Sequence, residues 1–290
     1  MSNLDLAAPS NDGALAIALH EPASGPPAQS LTDPPKNPLT KVIGDLFGAG
    51  VSAPVPVELD AVEAPQVILP PDPLSLAIQE CLGVDASDPL PAEALLTPLW
   101  SSSEAVHQLF LMHRQRNERR CPAVASVTEA ITIAAQYAAG GYDAYHACGE
   151  FASPDNRKAS NATGACALWL DLDCGPEKEE QGKGYLSKVD AFLDLMAFCQ
   201  KTRLPNPTHI VDSGGGLHVY WVFTRPIPTD RWRESATKFK RLTNLLGLRA
   251  DDARTADIAS VLRLPGALNF KTDPPRPVSL IYVAPQLITE

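Results

Sequence analysis

The sequence predicts an α+β fold, an antiparallel sheet with helices packed on one face. Three observations lead there. Apolar residues alternate along several short segments, longer segments repeat them at helical spacing, and three successive glycines join two alternating segments into a hairpin.

Taken in chain order, the elements are justified as follows. Thirteen of the 28 prolines lie within the first 73 residues, amid Ala, Ser and Asp with few aromatics. Such a stretch buries too little apolar surface to offset its ordering entropy. Residues 1–75 are therefore expected to be a disordered, Pro/Ala-rich acidic tail with a short helix around Leu39–Phe47. Residues 76–100 are expected to be a transition segment, and 101–290 the folded domain. SSSEAVHQLFLMHRQR (101–116) opens with serine caps and an acidic first turn, which predicts a helix. SVTEAITIAAQYAAGG (126–141) predicts a second helix with a Gly-Gly stop. YDAYHACGEF (142–151) reads as a strand and GACALWLDLD (164–173) as a strong one, followed by the amphipathic helix LSKVDAFLDLMAFCQKT (186–202). PTHIVDSGGGLHVYWVF (207–223) is two strands about a glycine turn. A long helix, PTDRWRESATKFKRLTNLLG (228–247), ends at Gly247; SVLRLPG (260–266) and VSLIYV (278–283) are short strands.

Composition narrows the function classes. No apolar run approaches the ~20 residues a membrane helix needs, so no membrane role is expected. MSNLDLAAPS lacks a basic stretch followed by an apolar one, which predicts no secretory signal. The six cysteines form no CxxC pair, so neither structural zinc nor a disulfide scaffold is expected, and a reducing cytoplasm fits. The net charge of −10 is unevenly distributed: residues 1–100 carry −11 and the rest +1. HRQRNERR (113–120) and the segment 225–249 are basic, suited either to tracking phosphates or to a solvated helix face.

In ALWLDLD the side chains alternate across the sheet. Leu168, Leu170 and Leu172 share an apolar face; Trp169, Asp171 and Asp173 share the other. Two carboxylates at i and i+2 on one open face repel unless a cation sits between them. Mg2+ or Mn2+ suits oxygen ligands and keeps positions for water or phosphate. A solvent-facing strand end is the plain alternative. In SGGGLH (213–218) the glycines free the backbone to point N–H groups at an anion, with Gly215 at the centre. Ser213 adds a hydroxyl and His218 an imidazole on the face that carries the aspartates. Trp169 and Tyr220 on that face are open to two readings, stacking on a base or ribose, or packing. Further on, Val261 and Arg263 alternate against Leu262 and Leu264, so Arg263 reaches the site face to neutralise phosphate, with Lys271 beyond the LeuProGly turn. Asp257 is the preferred third metal ligand and Asp252 its rival.

Together, WLDLD (169–173), SGGGLHVYW (213–221) and TAD…VLRLPGALNFK (255–271) resemble the three motifs of the archaeo-eukaryotic primase superfamily. The nearest likeness is its phage- and plasmid-encoded RepB-like primase-polymerase branch, over about residues 101–285. The resemblance implies a modified RNA-recognition-motif-like sheet with helices, and template-directed primer synthesis and extension from NTPs or dNTPs on single-stranded DNA. In that pattern Asp171, Asp173 and Asp257 are the catalytic, metal-binding acids. Ser213, Gly215, His218, Arg263 and Lys271 handle the triphosphate, and two Mg2+ or Mn2+ ions are the cofactors. A replicative helicase is the further partner the resemblance suggests, since many members carry one. This chain is too short to hold it, so a stand-alone form and a fragment both stay open. Ala267 departs from the Thr that many members carry after ProGly. Two other readings compete: a rolling-circle replication initiator, for which the His-hydrophobe-His pair is missing, and an RRM-like nucleic-acid-binding module without polymerase activity.

Overall fold

The computed structural model describes residues 72–102 and 104–289, and the tail to residue 71, including the expected helix at 39–47, lies outside them. The first described element is α1 (Pro73–Leu82), capped by Asp72 through the Ser75 N–H and stopped by Gly83 at φ 71°. α2 (Glu93–Leu99) follows. Then come β1 (His107–His113), β2 (Glu118–Arg120), β3 (Ala123–Val124), α3 (Val127–Ala139), β4 (Asp143–Ala147) and β5 (Glu150–Phe151). β6 (Ala162–Asp173), the five-residue α4 (Pro176–Glu180) and α5 (Lys188–Thr202) form the middle of the chain. β7 (His209–Asp212), β8 (Gly216–Pro228), α6 (Thr229–Leu246), the short α7 (Asp252–Thr255), β9 (Val261–Arg263), β10 (Leu268–Asn269), β11 (Arg276–Pro277) and β12 (Ser279–Val283) complete it.

The fold is α+β with antiparallel sheets. The larger sheet runs β12-β7-β8-β6-β5 and the smaller β2-β1-β4-β9, with β3 paired to β1 and β10 to β11 in a separate ribbon. One face of the larger sheet (Leu170, Leu172, Leu217, Val219) packs on Ile78 of α1 and on Phe192 and Leu195 of α5. Its other face is also closed: Trp169, Val211, Tyr220 and Leu280 meet Leu95 and Leu99 of α2, Trp232 of α6 and Leu262 of β9. The smaller sheet presents Leu109, Leu111 and Ala144 to Ala130 and Ala134 of α3. Four layers result, helices, large sheet, small sheet and helix, where the sequence predicts one sheet with one open face.

Two expectations are corrected. The segment 101–116 is not a helix but β1 and the turn after it, because Leu109 and Leu111 both go to full burial at period two while Phe110 and Met112 stay half-exposed. A serine cap signal is local, and tertiary burial overrides it. The segment 76–100 is not a transition either, since Ile78, Leu95 and Leu96 are fully buried. Trp169 and Tyr220 are likewise buried completely; the Trp169 indole stacks on Trp232 at 4.8 Å between centroids and donates to the Arg254 carbonyl. Neither is open to a base or a ribose.

A chain cut to start at Ser101, which lacks Ile78, Leu95 and Leu96, should lose the cooperative unfolding of the full-length chain. Each buried leucine or isoleucine removed contributes roughly 2–5 kcal/mol. Urea melts followed by tryptophan fluorescence read the difference.

Candidate active site

The register between β6 and β8 builds the site. Asp171 stands opposite His218 and Asp173 opposite Gly216, so the period-two strand sends both carboxylates and the imidazole to one face. His218 Nε2 is 3.7 Å from Asp171 Oδ1. Gly216 lets the strands close here, because a Cβ on it would lie 2.1 Å from the Leu172 carbonyl oxygen. Gly214, at φ 76°, makes the turn itself, and its N–H is fixed by Asp212 Oδ1 at 2.8 Å. Asn269 of β10 clamps the turn from outside, donating from its amide to the Ser213 carbonyl at 2.9 Å.

Asp171, Asp173, Ser213, Gly215, His218, Arg263 and Lys271 all line one cavity of about 890 Å³ between the two sheets. Asp257 does not. Its carboxylate is spent on its own turn, accepting from Ala259 N–H at 3.0 Å and facing the Ser260 hydroxyl at 3.4 Å. The rival Asp252 is also turned away, accepting from the Asn244 amide at 3.1 Å on the exposed side of α6. The acid that comes near the pair is Asp251. Its N–H donates to the Asp171 carbonyl at 2.8 Å, and its charge acts on Asp171 alongside that of Asp173. Asp251, like Asp257, does not line the cavity; its backbone contact and its charge are what bring it to the pair. The only local sign of Asp251 is its place as N-cap of α7, where it accepts from Ala253 N–H at 2.8 Å. A cap signal says nothing about what lies across the fold.

Charge in the cavity is crowded and only partly balanced. Burial, then Asp173, then Asp251 push the Asp171 carboxyl up to about 7, against Lys271 and Arg254. Burial, reinforced by Arg263, His146 and the nearby lysine and arginine, holds His218 well below the ordinary histidine range, so its ring is neutral at pH 7. Asp173 is met by Lys178 of α4, with Nζ 2.5 Å from Oδ2. Lys178, Arg254 and Arg276 reach the same cavity without any spacing signal in the sequence, since each sits on a helix of five residues or fewer or on a two-residue strand. The basic segments are less uniform than their composition. Arg114 and Arg119 line the cavity, while Arg157 is spent on the Ala259 carbonyl and on the Phe110 ring. Lys238 pairs with Glu234 along α6, and Arg233 faces Asp230 there.

Oxygen donors suit a hard divalent cation, and Asp173 and Asp251 act on Asp171 more strongly than Lys271 and Arg254 do, which leaves charge for one to neutralise. The donor set therefore fits Mg2+ or Mn2+ at Asp171 and Asp173. Among the described residues, no three His, Cys, Asp or Glu side chains already stand as a closed ligand cluster. All six cysteines are free. Among the described residues no helix is long and apolar enough to cross a membrane.

No family model matches the chain, and no curated protein does. Several solved chains resemble it, among them the following three. The primase-polymerase AEP domain of cyanophage S-2L shares 18% identity over 67% of this chain and 90% of its own, at a TM-score of 0.48. A crystal structure of primase RepB' shares 13% identity over 68% of this chain and 58% of its own, at 0.45. The catalytic domain of primase RepB' in complex with initiator DNA shares 13% identity over 68% and 86%, at 0.40. All three scores lie under 0.5.

Gly216→Ala should force β8 away from β6 and destabilise the fold by about 1–3 kcal/mol, as overpacking does. Gly215→Ala, whose added carbon meets nothing closer than the Asn269 amide at 3.5 Å, should leave stability within about 0.5 kcal/mol. Chemical denaturation of the two variants makes the comparison.

Proposed function

We propose that this protein is a template-directed nucleotidyltransferase, a primase-polymerase of the archaeo-eukaryotic primase type, acting on nucleoside triphosphates over single-stranded DNA. One observation carries the reading: two adjacent carboxylates in register with a buried histidine and a glycine turn, at the wall of a cation-lined cavity. Acids alone repel phosphates and cations alone bind them. Both together in one cavity are what a metal-dependent phosphoryl or nucleotidyl transfer requires.

In this reading Asp171 and Asp173 hold Mg2+ or Mn2+, with Asp251 in support. Metal bound there supplies Lewis-acid activation of a hydroxyl and charge neutralisation on the phosphates. The chain's own residues do the rest. Lys271, Arg254 and Arg263 offset the charge of the triphosphate and of the departing pyrophosphate. His218, kept neutral by burial, offers a ring N–H rather than a full charge. Gly215 and Ser213 sit where the triphosphate passes the turn. The template enters past Arg119, the residue of the basic segment 113–120 that lies on the cavity wall away from the Asp143 ion pair. A replicative helicase fits as a downstream partner of such an activity. The burial of Trp169 and Tyr220 weighs against a binding module without catalysis, which needs exposed aromatic platforms on its sheet.

Template-dependent incorporation of labelled nucleotide on single-stranded circles, with NTPs and dNTPs offered separately, tests the proposal. Asp171→Asn and Asp173→Asn should abolish incorporation with the fold intact, and EDTA should do the same to the native chain. Asp251→Asn should weaken metal binding about 10- to 100-fold. Asp257→Asn should leave activity near the native level. Full activity in Asp171→Asn at saturating metal would refute the assignment.

A further inference from the structure

The smaller sheet contributes a second charged assembly to the cavity wall, centred on Asp143 at the start of β4. Its carboxylate is completely buried. Oδ1 accepts from Arg263 Nη1 at 2.5 Å and from the Phe270 N–H at 3.0 Å. Oδ2 stands 2.6 Å from Arg114 Nε, an ion pair whose angle is not that of a hydrogen bond. Arg114 Nη2 donates to the Tyr145 hydroxyl at 3.0 Å, and the Arg263 guanidinium lies over the Tyr145 ring at 4.8 Å. Two guanidinium groups therefore share a single carboxylate.

That arithmetic leaves one positive charge without a partner in a largely dry place, an arrangement that is unfavourable unless a second anion completes it. Arg263 is only 4% exposed, and its Nη2 has no hydrogen-bond partner among the described residues. Both arginines and Tyr145 line the cavity that holds Asp171 and Asp173. A buried donor with nothing to donate to, on a cavity wall, points to a ligand oxygen. Planar guanidinium groups favour phosphate or carboxylate oxygens, and phosphate is the anion the neighbouring carboxylates and glycine turn accommodate.

We propose that Asp143 is a positioning residue that splays Arg114 and Arg263 into a two-armed clamp for the outer phosphates of a nucleoside triphosphate. It touches neither substrate nor metal and acts through the two arginines. The proposal rests on the nucleotidyltransferase reading for the identity of its ligand, though not for the existence of the anion site. Arg114, the more exposed of the pair at 31% of its side chain, is the arm free to adjust on binding. The simpler alternative is a buried ion pair that merely ties β4 to β9.

The two alternatives differ in sign. If Asp143 only ties strands together, replacing it by Asn removes a negative charge from an anion site, and anions should bind equally or more tightly. If it positions the clamp, binding should weaken despite the lost negative charge. Calorimetric titration of inorganic tripolyphosphate into the full chain in metal-free buffer reads this directly. Asp143→Asn, Arg114→Ala and Arg263→Lys should each weaken binding by about tenfold or more, the size of a charge-assisted hydrogen bond. Mn2+ binding, followed by electron paramagnetic resonance, should stay at the native level in Arg114→Ala. Should Asp143→Asn fail to fold, the half-exposed Arg114→Ala carries the test alone. Where the native chain incorporates nucleotide, Arg114→Ala should raise the KM for the triphosphate and leave kcat within about threefold, the pattern of lost uniform binding. Unchanged or tighter tripolyphosphate binding in Asp143→Asn, or unchanged binding in Arg114→Ala, overturns the clamp. Weakened binding in the variants of a native chain that incorporates no nucleotide upholds the clamp and sinks the polymerase reading instead.

Discussion

The pairing of β6 with β8 is the constraint on which the rest of the site depends. Side chains alternate strictly along a strand, so a slip of one residue would send Asp171 and Asp173 to the opposite face, under α5. Several contacts hold the register. Leu170, Leu172, Leu217 and Val219 are all fully buried on the α1/α5 side, and a slip would expose them to the cavity. Gly216 permits an approach that no other residue allows. The turn between β7 and β8 is fixed from within by Asp212 and from outside by Asn269. The position of the carboxylates thus follows from apolar packing on the other side of the sheet, an indirect but firm form of preorganisation.

The second constraint is the layering. Because the smaller sheet closes over the site face of the larger one, the cavity has two chemically different walls. The large-sheet wall carries the acids, the glycine turn and His218, and the small-sheet side carries Arg114, Arg263 and Tyr145. Enclosure removes water, which raises the cost of every unmatched charge and also strengthens every matched one. That accounts for the upward push on Asp171, the neutrality of His218 and the reliance of two arginines on Asp143. Trp169 has a structural part in the same scheme. Its indole N–H holds the Arg254 carbonyl and so ties α7, with Asp251 and Arg254, to the strand that bears the aspartates.

Local signals were legible where burial is regular. The alternation in ALWLDLD, beyond the register shift at Ala165–Ala167, the glycine hairpin, and the helices at 126–141, 186–202 and 228–247 all stand out because each is set by neighbours close in sequence. Reading failed where a short-range signal opposed a long-range one. Ser101–Ser103 followed by Glu104 resembles a helix start, yet Leu109 and Leu111 are taken into a strand by neighbours as distant as Ala144 and Ala130. The helices at 73–82 and 93–99 were obscured by a proline-rich approach whose composition says disorder, although Ile78 and Leu95 find cores supplied mainly by residues more than 50 positions later.

By itself the sequence determined the α+β class, the face shared by Asp171, Asp173 and His218, and the glycine turn beside them, since each is set by periodicity within a few residues. Only the tertiary structure decided that this face is roofed by a second sheet, that Trp169 and Tyr220 are core, and that Asp251 rather than Asp257 approaches the pair. It alone brought Asp143 between Arg114 and Arg263, 120 residues apart from the latter in sequence. The physical reason is the same in each case. Proximity across a fold is set by how whole layers pack, and no spacing along the chain encodes it.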